Sequence, residues 1–153
     1  MKLTIAPIPL ENVEDVFGFR VTLSNPDRDD FFVNLGESRS NRSCHHPDAI
    51  TLILTDPRGK SRQLRFTKSP GHFHATGDGS PYVVPLRAAS GYYLNLNLRQ
   101  FTPLDDADRF VVGPGKYRLR AEFVGTIPRF SDMKLLNFWK GKLRSEEITF
   151  WIR

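Results

Sequence analysis

Residues 111–124, Val-Val-Gly-Pro-Gly-Lys-Tyr-Arg-Leu-Arg-Ala-Glu-Phe-Val, constrain the fold more than any other part of the chain. A Gly-Pro-Gly turn runs directly into strict alternation. Tyr117, Leu119, Ala121 and Phe123 fall on one side, and Lys116, Arg118, Arg120 and Glu122 on the other. A period of two is that of a β-strand with one face on a core and the other in water. Pro114 presets φ for a corner, and the flanking glycines permit a tight backbone. A tyrosine just after such a corner is the arrangement called a tyrosine corner, whose hydroxyl ties back to the preceding connection.

The rest of the chain repeats the pattern. Strands are predicted over 16–23, 49–55, 61–66, 92–98 and 147–152, where apolar residues alternate with polar ones. Residues 3–8 and 82–86 read as edge strands, because Pro7 and Pro85 could not donate into a central ladder. Phe31–Leu35 reads as a further short edge strand. Asp56-Pro57-Arg58-Gly59 has proline second and glycine fourth, as a type I hairpin turn favours. About seven to nine strands at this spacing predict an all-β, immunoglobulin-like antiparallel sandwich, one domain over residues 1–153.

The closing third carries a resemblance. Pro114-Gly115-Lys116-Tyr117-Arg118-Leu119-Arg120-Ala121-Glu122-Phe123, then Trp139-Lys140-Gly141-Lys142-Leu143-Arg144-Ser145 and a final alternating strand, resemble the closing half of bacterial immunoglobulin/fibronectin-like domains. The resemblance covers about residues 110–153. It implies a binding or spacing role and supplies no catalytic residues. The Cys-Trp-Cys core of antibody domains is absent, since Cys44 is the sole cysteine.

Composition narrows the class. With 39% hydrophobic and 25% charged residues the chain is that of a soluble globular protein. No apolar run approaches the roughly 20 residues of a membrane helix. Met1–Leu10 is too short and too broken by prolines for a signal peptide, so a cytoplasmic location is expected, or export with the signal already removed. One cysteine excludes an intramolecular disulfide and suits a reducing compartment. The net charge of +5 favours acidic partners, but the basic residues are scattered and interleaved with acids. That dispersion reads as a solvated basic surface, and no nucleic-acid partner is expected.

In an antiparallel Greek-key sandwich, the connections 25–48, 67–91 and 125–146 would meet at one end. The hairpin turn and the Pro-Gly corner would share the other. Long loops clustered on a rigid scaffold are where binding residues concentrate. Cys44, His45 and His46 lie in the first of these loops, and His72 and His74 in the second. Thiolate and imidazole are ligands that zinc and copper favour, although the spacing matches no familiar zinc motif. The third loop is too apolar for a solvated connection. Ser131 reads as the N-cap of a short helix carrying Leu135, Leu136, Phe138 and Trp139. The loop either folds back over the open end or supplies partner anchors from Arg129, Phe130, Met133, Phe138 and Trp139, residue types that dominate interfaces.

Catalytic ingredients are thin. Cys44 beside His45 invites a nucleophile–base reading, but sequence neighbours seldom face each other. No phosphate loop, nucleophile elbow or carboxylate pair is present. The expected function is a non-enzymatic protein-binding module with no cofactor, acting through its long-loop end. The alternative is a small zinc or copper site built from the Cys/His loops. A carbohydrate platform of Tyr82, Tyr92 and Tyr93 is a third reading, but these residues look like strand positions.

Overall fold

In the computed structural model, which describes residues 1–9, 17–39, 44–67, 80–104, 111–129 and 135–153, the alternating segments pair into antiparallel sheets. In chain order the strands are β1 (Lys2–Ile8), β2 (Gly18–Asn25), β3 (Phe31–Arg39), β4 (Cys44–His46), β5 (Ile50–Thr55) and β6 (Ser61–Phe66). They continue with β7 (Ser80–Leu86), β8 (Ser90–Asn97), β9 (Phe101–Pro103), β10 (Gly115–Gly125), β11 (Gly141–Arg144) and β12 (Ile148–Ile152). One sheet has the order β1-β2-β8 and a second β4-β3-β7. The largest runs β11-β10-β5-β6-β9, with β12 also paired to β10.

The strand after the Pro-Gly corner is β10, and it lies inside the largest sheet. Tyr117, Leu119, Ala121 and Phe123 are all buried. They share one hydrophobic cluster with Leu3, Phe19 and Val21 of the first sheet and with Val33 and Leu86 of the second. The phenylalanines join the layers. Phe19 of the first sheet and Phe101 of the largest have centroids 5.9 Å apart, and within the largest sheet Phe66 meets Phe101 edge-on at 5.4 Å. The chain is thus all-β, with antiparallel sheets around a common core, an arrangement compatible with a β-sandwich.

β11 and β12 lie end to end along the same side of β10, interrupted at Ser145. Its N–H donates to the Ala121 carbonyl at 2.9 Å, and its Oγ accepts from the Ala121 N–H at 2.9 Å. A hydroxyl thus stands in for the missing ladder carbonyl, so no buried N–H of β10 is orphaned there. At the far end, Gly59 sits at φ +83 and closes the 56–59 turn through a 2.9 Å bond to the Asp56 carbonyl. Gly115, at φ +146, packs so closely on Pro57 that a Cβ would strike the proline ring. The hairpin and the corner therefore do share an end.

β1 and β7 are edge strands, as Pro7 and Pro85 require. Phe31–Leu35 differs from expectation: β3 is the centre of its sheet, flanked by β7 and β4. Its partners come from remote segments, which local pattern does not reveal. β9 and β11 fall in segments that read as connections, yet both are short strands: β9 pairs with remote β6, and β11 pairs back onto β10, the strand before it. The N-cap expected at Ser131 lies outside the described residues, and Leu135–Lys140 is not helical. Among the described residues, no helix is long and apolar enough to cross a membrane.

Candidate functional site

The three long connections meet, and hydrogen bonds tie them together. The first contributes β3, the second β7, and these two pair from Phe31↔Leu86 to Ser38↔Ser80. The third contributes Asn137–Trp139. The Phe32 N–H donates to the Asn137 carbonyl at 2.8 Å, and the Trp139 N–H returns a bond to the Phe32 carbonyl at 3.0 Å. The Asn137 side chain adds a bond to the Asp30 carbonyl at 3.0 Å.

Asn25 latches the base of this assembly. It is almost completely buried, and its amide donates to the carbonyls of Asp29, Leu86 and Arg87 at 2.8, 3.1 and 3.2 Å. Its Oδ1 accepts the Asp27 N–H at 3.2 Å. One amide thus joins the end of β2 to the end of β7. Asn25, the last residue of β2, is a buried tie.

A β-bulge falls between Asn34 and Gly36, with Gly36 at φ +139, and both residues line a groove of about 680 Å³. Asn34, Glu37, Asp48, Val124, Ile127 and Arg129 line it. The Asn34 amide donates to Thr126 Oγ1 at 3.2 Å, linking β3 to the segment that follows β10. Apolar walls with a few polar groups suit ligand or peptide capture, and the volume falls within the range of such sites.

The expected anchors occupy different situations. Arg129 is exposed at the groove. Phe130 and Met133 lie outside the described residues. Phe138 is buried, its ring 6.0 Å from that of Phe32. Trp139 is half-buried over a pair of facing glycines, Gly125 and Gly141, which are paired across β10 and β11. A Cβ on Gly125 would lie 2.8 Å from the indole Cζ3, and one on Gly141 would lie 2.9 Å from Cη2. The Phe123 ring closes the pocket at 5.8 Å. Phe138 and Trp139 thus bind the third connection down onto the sheets.

Exposed apolar surface at this end comes instead from Val124, Ile127, Leu135 and Leu136, with Leu135 96% exposed. Val124 continues the outward set of β10, so alternation alone could have marked it. Leu135 and Leu136 carried the signal of an over-apolar loop.

Of the proposed metal ligands, Cys44, His45 and His46 form β4, paired with Arg39, Ser38 and Glu37. His72 and His74 lie outside the described residues. Among the described residues, no group of three or more His, Cys, Asp or Glu side chains could hold a metal ion. Tyr82 and Tyr92 share a 2.5 Å hydroxyl–hydroxyl bond. Burial, followed by that bond, pushes the Tyr82 hydroxyl well above its ordinary range. A phenol held protonated there joins β7 to β8.

The chain matches no protein-family model and no curated protein.

Proposed function

We propose that the chain is an immunoglobulin-like sandwich that binds another protein through its long-loop end and catalyses nothing. The sheet orders β1-β2-β8 and β11-β10-β5-β6 support the sandwich type, as does the tyrosine after the Pro-Gly corner. The binding role rests on one observation. Exposed Val124 and Ile127 line a groove together with Arg129, and exposed Leu135 and Leu136 lead into Asn137, which bonds to Phe32 on the strand that carries Asn34 of that groove. Apolar anchors beside an arginine form the pattern of an interface centre. Phe138 and Trp139 support this surface from beneath.

A photo-crosslinking residue placed at Leu135, with one at Lys2 as control, tests the reading in cells of the source organism. A discrete adduct from position 135, absent from position 2 and lost with Leu136→Asp at unchanged melting temperature, supports it. Equal labelling from both positions would sink it.

A further inference from the structure

The cations are dispersed in sequence, but strand register gathers six of them on the outward face of the largest sheet. The outward positions of β10 are Lys116, Arg118, Arg120, Glu122 and Val124. Pairing sets Trp151 opposite Lys116, Arg144 opposite Glu122 and Lys142 opposite Val124. On the other side, Thr51 lies opposite Glu122 and Arg65 opposite Thr51. Directly opposed residues project from the same face.

Two carboxylates accompany these cations. Glu122 is buried and accepts Arg144 Nε at 2.7 Å and Lys142 Nζ at 3.2 Å. Glu147 accepts Arg118 Nη1 at 3.2 Å in an exposed pair, which contributes little and exchanges readily. Lys116, Arg65 and Arg120 have no carboxylate partner among the described residues. Arg120 stands mid-face, and its Nε is enclosed with no hydrogen-bond acceptor among the described residues. At one corner Trp151 is 69% exposed, a large aromatic that the core does not use.

We propose that this face binds single-stranded nucleic acid, with phosphates on the arginines and lysines and a base stacked on Trp151. Guanidinium groups match phosphate oxygens in bidentate geometry. Exposed tryptophan is a stacking platform that accepts any base. From Lys116 to Val124 the stripe is about 27 Å long at roughly 3.4 Å per residue, room for a few extended nucleotides. The occupant follows from what the face lacks. The amides and carbonyls of β5 and β10 are committed to ladders on both sides, so an acidic polypeptide would find charge here but no partners for its backbone. A phosphodiester chain has no such requirement. The flat surface likewise offers nothing to enter a duplex groove.

The test uses the purified full chain and fluorescein-labelled oligothymidylate and oligouridylate of about twelve nucleotides. Anisotropy is followed across a salt series. The expected result is binding that weakens with salt and drops roughly tenfold in Trp151→Ala, with Trp151→Phe restoring most of it. Lys116→Gln and Arg65→Gln should each reduce the salt slope by about 0.7. Lys2→Gln, the same charge loss on the opposite sheet, should change neither. Absence of binding to both oligomers overturns the proposal. So does an equal loss in Lys2→Gln and Lys116→Gln, which would mean attraction by net charge alone. Tighter binding of an oligoglutamate of equal length would assign the face to an acidic polypeptide instead.

Discussion

The Tyr117 hydroxyl donates to the Gly113 carbonyl across 2.9 Å, bridging the Pro-Gly corner from the strand that follows it. The ring is buried against Phe150, with centroids 5.7 Å apart, so the donor is held in place. The bond fixes where β10 begins, and hence which of its residues face the core and which face solvent.

Tyr117→Phe keeps the ring and removes only the donor. It should cost about 1 kcal/mol, the usual net value of one such bond. Urea unfolding should show a lower midpoint with an unchanged slope. Loss of cooperativity would mean that the corner organises more than its own bond.

Gly125→Ala drives a methyl into the Trp139 indole and should cost about 1–3 kcal/mol by overpacking. Trp139→Ala should cost about as much through lost burial. The two should be partly non-additive, because removing the indole relieves its contacts with the methyl while the Trp139 carbonyl, 2.6 Å from that Cβ, still opposes it. Additive losses in the double variant would show that the indole does not rest on Gly125.

Asn25→Ala strips donors from three carbonyls and should destabilise by about 2 kcal/mol. Asn25→Asp should be worse at neutral pH, since it sets a carboxylate against the same carbonyls. That excess should shrink as the pH falls and the carboxyl regains a proton to donate. Urea midpoints for both variants at neutral and acidic pH check the ordering, and an Asp variant as stable as wild type would refute the latch.

The raised Tyr82 hydroxyl predicts alkaline sensitivity. The unfolded chain releases this proton near the ordinary value of 10.0, whereas the folded protein retains it. The folded state therefore binds more protons above that pH. Its contribution to stability is complete below about pH 10 and declines as the pH rises further. Melting temperature against pH should fall in this range, and Tyr82→Phe should fall less steeply.

Features that depend on adjacent residues were legible in the sequence. The corner before Tyr117, the edge positions of Pro7 and Pro85 and the turn at Gly59 are local chemistry, and each stands as read. The three long connections do meet, but through β3–β7 pairing and the Phe32 bonds to Asn137 and Trp139, partners that strand parity does not specify. Features that depend on remote partners were not legible. β3 looks like an edge until β4 and β7 close on either side of it. Trp139 looks like an interface anchor because nothing in its neighbourhood reveals that Gly125 and Gly141 face each other beneath it. The cations of the large sheet look dispersed because their grouping is a property of register. The exposed leucines are the reverse case: their chemistry was visible, and only burial could separate them from Phe138.

The seat of Trp139 has a practical consequence. Gly125 opens the connection and Trp139 nearly closes it, so both ends of the segment between them are clamped to one spot on the sheet. Whatever sequence spans 126–136 must leave from and return to that clamp. The exposed positions 127, 129, 135 and 136 can therefore be varied as a set, with Gly125, Thr126, Pro128, Phe138, Trp139 and Gly141 retained, to present new surfaces on one scaffold.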